Sequence, residues 1–172
     1  MPNNNNENTQ NLPNDVEGYE QVTNALMALV NSYPGLEQGE EFKYAQLDDV
    51  EGIAIFPSTG SYIYEERESI TGHVVQMCQY PFTVVYRASG LIQKRKIRAQ
   101  EWLDTFGRWI EKKPVVIGGT EYTLEEWPEL TSDREIEEMY RQTPAYLVDV
   151  PDNKSENWIE EIIIRYRAEF DR

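Results

Sequence analysis

The chain has 172 residues, 31 of them acidic and 16 basic, giving a formal net charge of −15. That length suits one domain with a sizeable core, and four Trp, eleven Tyr and five Phe supply its bulk. Such acidity repels phosphate and excludes wrapping or sequence-specific nucleic-acid binding, while the single cysteine, Cys78, excludes an internal disulfide and suits a reducing compartment.

Residues 1–13, MPNNNNENTQNLP, are almost purely polar. They cannot bury enough apolar surface to offset their ordering entropy, so a flexible arm is expected, one that could order against a neighbour. No apolar run behind basic residues marks a secretory signal there, and no stretch of the chain is apolar for long enough to span a bilayer. Residues 14–172 read as a single α+β domain. Asn14 or Asp15 can cap a helix whose stripe is Tyr19, Val22, Leu26, Leu29, Val30 and Tyr33, stopped by Pro34 and Gly35. The acidic segment that follows, from Glu37 to Glu51, reads as a solvated loop, with metal binding as the minor alternative.

Residues 52–56, GIAIF, form a short strand, 57–60 a turn and 61–65 a second extended piece, together expected to precede one long strand as a meander. That long β segment covers 68–87, and Pro81 within it predicts a bulge or an edge position because proline cannot donate to a ladder. A second helix is expected over 98–112, with Ala99, Trp102, Leu103, Phe106, Trp109 and Ile110 on one stripe. Val115 to Thr123 around Gly118 and Gly119 reads as a hairpin. Residues 124–143 are acidic and read as partly helical, with Ile136, Met139 and Tyr140 as the contact side. Residues 145–150 and 158–170 are expected to be strands joined by the turn-rich PDNKSEN. In the last, Trp158, Ile162, Ile164, Tyr166, Ala168 and Phe170 share one parity, interrupted by Glu160. The layout is a mainly antiparallel sheet with two principal helices packed on it.

Chemistry is sparsely marked. His73 is the one histidine, and it sits five positions before Cys78, so on a regular strand the two side chains diverge. Acidic doublets such as Asp48–Asp49 and Glu160–Glu161 are expected by chance among so many acids. No spacing fits a metal site or a phosphate loop, so no catalytic, cofactor or metal-binding residue is assigned. Residues 91–113 carry a net positive charge between acidic flanks. The basic run Lys94, Arg95, Lys96 and Arg98 makes a poor nucleic-acid patch. It reads either as a solvated helix start or as a contact for an acidic surface on another copy of the chain, the head-to-tail complementarity a ring requires.

The helix ending in YPG (33–35), the strings GIAIFPSTGSYIYEE (52–66) and ITGHVVQMCQYPFTVVYR (70–87), the helix AQEWLDTFGRWIEKK (99–113) and the final WIEEIIIRYRAEF together resemble the phage tail terminator, or tail completion, family. They are likewise similar to Gram-positive phage and prophage proteins labelled minor capsid or tail proteins, some mislabelled chloramphenicol resistance proteins. The resemblance covers roughly 14–172 and lies in the order of elements and a few short strings. It implies a structural, non-enzymatic virion protein without cofactor, assembled in the host cytoplasm as a hexameric ring. The ring caps the tail tube protein and docks it to the head–tail connector, and genome DNA passes through its lumen without specific binding. Head–tail joining, a minor capsid role, an acidic binding module and a small acyltransferase are the alternatives.

Overall fold

The computed structural model describes residues 16–48, 51–89, 93–131, 133–148 and 155–172. The expected arm over 1–13, the Asn14 or Asp15 cap and most of the PDNKSEN connection lie outside the described residues. Within them the fold is α+β: two helices and a largely antiparallel seven-stranded sheet, with a separate two-stranded hairpin.

Two 17-residue strands form the centre of the sheet: β4 (His73–Ser89) and β9 (Ser155–Asp171), paired antiparallel from His73↔Asp171 to Ser89↔Ser155. On its other side β4 meets two strands end to end. β3 (Tyr62–Glu68) pairs with its first half and β2 (Gly52–Pro57) with its second, and β1 (Phe42–Tyr44) adds parallel to β2. On the far side of β9 lie β7 (Arg134–Arg141) and β8 (Tyr146–Val148). The expected meander is therefore corrected, because β2 and β3 share β4 instead of pairing with each other.

Pro81 is not at an edge either, nor does the ladder with β9 shift there, since Pro81 stays in register with Ile163. Its missing donor falls at the handover between β3 and β2, where the Pro81 carbonyl accepts from the Ser58 amide at 3.1 Å.

Both helices cover one face of this sheet. α1 (Val16–Val30) contributes Val22, Leu26, Leu29 and Val30, followed by Tyr33, and α2 (Gln93–Ile110) contributes Ala99, Leu103, Phe106 and Ile110. Even-numbered residues of β4 and β9 face them, with Cys78, Tyr80, Phe82, Val84, Ile162, Ile164 and Tyr166 all buried. The parity expected for the last strand holds, and Glu160, its apparent interruption, is fully buried on the same face. An aromatic cluster closes the middle: Phe106 lies 5.2 Å from Tyr33, 5.1 Å from Phe42 and 5.7 Å, stacked, from Trp102. Trp102 Nε1 donates to the Gly35 carbonyl at 3.0 Å, tying α2 to the end of α1.

Three further expectations are corrected. Phe42, read as part of a solvated loop, is a buried core residue on β1. α2 starts five residues earlier than its stripe suggests, so the basic run lies in its first turns. The segment expected to be partly helical holds β7, and 124–131 is irregular. A register shift between Ile136 and Glu138 makes Glu137 the extra residue of a β-bulge. The bulge lets Ile136 and Met139, three apart, face the core together while Tyr140 points the other way, so the sequence imitates helical spacing.

The hairpin holds as expected. β5 (Val115–Ile117) and β6 (Thr120–Tyr122) are joined by Gly118 and Gly119 at φ 59 and 81, the two left-handed positions a tight two-residue turn demands.

Candidate assembly surface

No helix among the described residues lies on the other face of the sheet, which antiparallel sheets can leave to water. At its centre four strands bring together a polar and aromatic network. Tyr62 of β3 donates through its hydroxyl to Gln79 Oε1 at 2.7 Å, and Gln79 Nε2 donates to the Tyr140 hydroxyl at 3.4 Å. The Arg165 guanidinium sits over two rings, 5.0 Å from the centroid of Tyr140 and 5.7 Å from that of Tyr64, and its Nη1 lies 3.4 Å from Glu138 Oε2. Tyr62 and Tyr64 stay 43% and 44% exposed although their neighbours hold them in place. Tyrosine and arginine, ordered before contact, are the residue types that carry binding energy in protein interfaces.

Around this centre the charges are neutralised within the chain. Arg167 meets Glu135 at 2.9 Å, Glu169 at 3.2 Å and Glu137 at 3.5 Å, and Arg172 meets Glu68 at 3.0 Å and Glu66 at 3.1 Å. Sequence periodicity places Arg165 on the wet face but puts Tyr140 on the contact side with Ile136 and Met139, and the convergence of the two depends on the bulged pairing of β7 with β9.

The basic run divides. Arg98 is exposed and ion-paired with Glu37 of the same chain, so it tethers α2 to the segment after α1. Lys94, Arg95 and Lys96 fall at the start of α2, and their side chains lie outside the described residues. The positive end of a helix dipole disfavours cations, and α2 has no acidic residue in its first turn to compensate. Glu37 and Arg98 also line a cleft of about 460 Å³ beside β2 and β4. Its other charges are partly satisfied internally, since Lys43 Nζ lies 3.0 Å from Asp48 Oδ1 and Arg87 Nη1 donates to the Asp48 carbonyl at 2.8 Å. Burial, and then the charge of Glu51, raise the Glu40 carboxyl above its ordinary range.

His73 and Cys78 diverge as their spacing requires. His73 lies on the open face, its Nδ1 2.9 Å from Asp171 Oδ1, and Cys78 is fully buried on the helix side. No group of three or more His, Cys, Asp or Glu side chains among the described residues could hold a metal ion, and no described helix is long and apolar enough to cross a membrane.

A carboxyl group sits inside the core. Both carboxyl oxygens of Glu160 are buried without a hydrogen-bond partner among the described residues. Burial pushes this carboxyl up to about 9 against the attraction of Arg141, and Asp104 and Glu111 add to the rise. The sequence shows this position only as a charged break in an apolar parity.

The fold is α+β, and one face of its sheet carries no helix among the described residues. No protein-family model matches the chain, and a search of curated proteins likewise finds no match.

Proposed function

We propose that the chain is a structural subunit that self-associates into a ring, acting as the tail terminator of a long-tailed phage. In this reading the ring caps the tail tube, joins it to the head connector and lets DNA through its lumen. The observation that carries self-association is the open sheet face, where Tyr62, Tyr64, Tyr140 and Arg165 are held ready for a protein contact at the centre of the sheet. Placing the ring at the head end of a tail rests on the resemblance of 14–172 to the tail terminator family.

Two physical features support the reading. A net charge of −15 lets a lumen repel phosphate, so the duplex slides instead of sticking. Lys94, Arg95 and Lys96 at the electropositive end of α2 are unfavourably placed in an isolated subunit, and an acidic surface on the next copy would relieve them.

The test is mass in solution combined with electron micrographs of the full chain, alone and with purified tail tubes. Sixfold rings, free or formed only on tube ends, are expected. A monomer that never assembles and binds a small acyl donor would overturn the proposal. Reversing Lys94, Arg95 and Lys96 to Glu is expected to weaken ring formation, most at low salt. Unchanged assembly would remove that run from the interface.

A further inference from the structure

We infer that Glu160 is carried in the native fold as a neutral carboxylic acid, and that its ionisation is a built-in release for the packing of α2 against the sheet. The argument begins with what surrounds it. Val84 of β4 is its cross-strand partner and offers nothing polar. From α2 and its end come Asp104 and Glu111, from β7 Arg141, and from the turn after α1 Tyr33, whose hydroxyl the Glu160 charge would push further from ionising.

Arg141 is the cation whose attraction acts on this carboxyl, and it is already engaged. Its Nε lies 3.2 Å from Glu111 Oε1, its Nη2 3.3 Å from Glu111 Oε2 and its Nη1 3.9 Å from Asp104 Oδ1. Lys113 Nζ completes the set, 2.7 Å from Glu111 Oε2. Arg141 and Lys113 therefore balance Asp104 and Glu111 without any charge on Glu160. An ionised Glu160 would be a surplus negative charge with no donor among the described residues and no exposure to solvent, and a buried charge in that condition costs far more than a buried neutral acid.

The helix above it has no slack. A Cβ at Gly107 would overlap the Glu160 Oε1 atom and the Arg141 stem, so α2 is packed tightly on the sheet here. A charged Glu160 can regain water only by displacing α2 there. The raised carboxyl agrees with this geometry and gives the direction of the effect. Glu160 ionises near 4.5 in the unfolded chain and near 9 in the folded one, so its contribution to native stability is full below the first value and is lost progressively as pH climbs from the first to the second.

The test is urea unfolding of the full chain, followed by tryptophan fluorescence, for wild type and Glu160→Gln from about pH 5 to about pH 9. In wild type this group should raise the unfolding constant about tenfold per pH unit, and the variant should lack that component. At about pH 8 the variant should also be the more stable protein. Equal pH slopes, or a variant less stable than wild type at that pH, would overturn the inference, because Glu160 would then be ionised and paired. Carbon-13 titration of the wild-type glutamate carboxyls decides the matter even if Glu160→Gln does not fold. One carboxyl still protonated at neutral pH is expected, and ordinary titration of every glutamate would overturn the inference.

Discussion

Gly107 lies so close above the side chain of Arg141 that a methyl group on its Cα would overlap the Arg141 Cδ atom. A glycine inside a helix normally costs about 1 kcal/mol relative to alanine, so alanine here improves the isolated helix. Overpacking against the arginine stem works the other way, at about 1–3 kcal/mol. The clash should win because Arg141 is fixed by Glu111 and cannot swing aside. Gly107→Ala is expected to lower the urea midpoint without changing the slope, and a stabilised variant would show that α2 has room to move.

Glu111 gives the fold an acid limit opposite in sign to that of Glu160. Burial alone would raise its carboxyl, but hydrogen bonds from Lys113 and from the Arg141 amide and guanidinium hold it below the ordinary value. A lowered folded value means stability that is present above about pH 4.5 and lost as pH falls through that lowered value. Glu111→Gln should cost roughly 1.5–3 kcal/mol at neutral pH and flatten the acid side of the profile. An unchanged acid limb in the variant would place that limit on other carboxylates.

Where the sequence was legible, the signal was local. Trp158, Ile162, Ile164 and Tyr166 share one parity because one strand carries them all against both helices. Gly118 and Gly119 are likewise read correctly, since a two-residue turn has its own residue requirement. The failures share a different cause. β7 imitates helical spacing because a bulge at Glu137 shifts the parity, and Pro81 hides in a central strand because two partners divide that strand between them. The open-face network joins Tyr62, Gln79, Tyr140 and Arg165 from four strands, so only the pairing register brings it together. Glu160 looks like a wet residue until the strand it belongs to is seen to have no wet position there.

Phe42 tests the strand that charge concealed. It is 3% exposed, its ring centroid is 5.1 Å from that of Phe106, and its amide donates to Asn31 Oδ1 at 2.8 Å. Truncating a buried phenylalanine costs roughly 3–5 kcal/mol, whereas an exposed loop residue would cost almost nothing. Phe42→Ala should therefore fall in the larger range by thermal or urea melting. A loss below about 0.5 kcal/mol would return this segment to solvent.

His73 should be dispensable for both stability and assembly. Its ring is 43% exposed, and its partners Asp171 and Glu169 are themselves on the surface, where ion pairs contribute little. His73→Ala is expected to change stability by less than about 0.5 kcal/mol and to leave ring formation as it was. A measurable enzymatic activity that vanishes with this substitution would contradict the structural role.

Arg165 and Tyr64 give the sharpest test of the open face, because they should matter to assembly far more than to the subunit. Their exposed cation–π contact is worth about 0.5–1 kcal/mol within the chain, so Tyr64→Ala and Arg165→Ala should melt close to wild type. In an interface the same side chains would be desolvated. Truncating a hot-spot residue there costs about 1.4 kcal/mol or more, which is tenfold or more in association. The ratio of assembled to free subunit, read by analytical ultracentrifugation, should drop by about that factor in each variant. The double variant should fall short of the sum, since Arg165 also holds Tyr140 and the two substitutions disturb one network. Full assembly with both residues removed would show that the subunits meet through another surface and that this face stays wet.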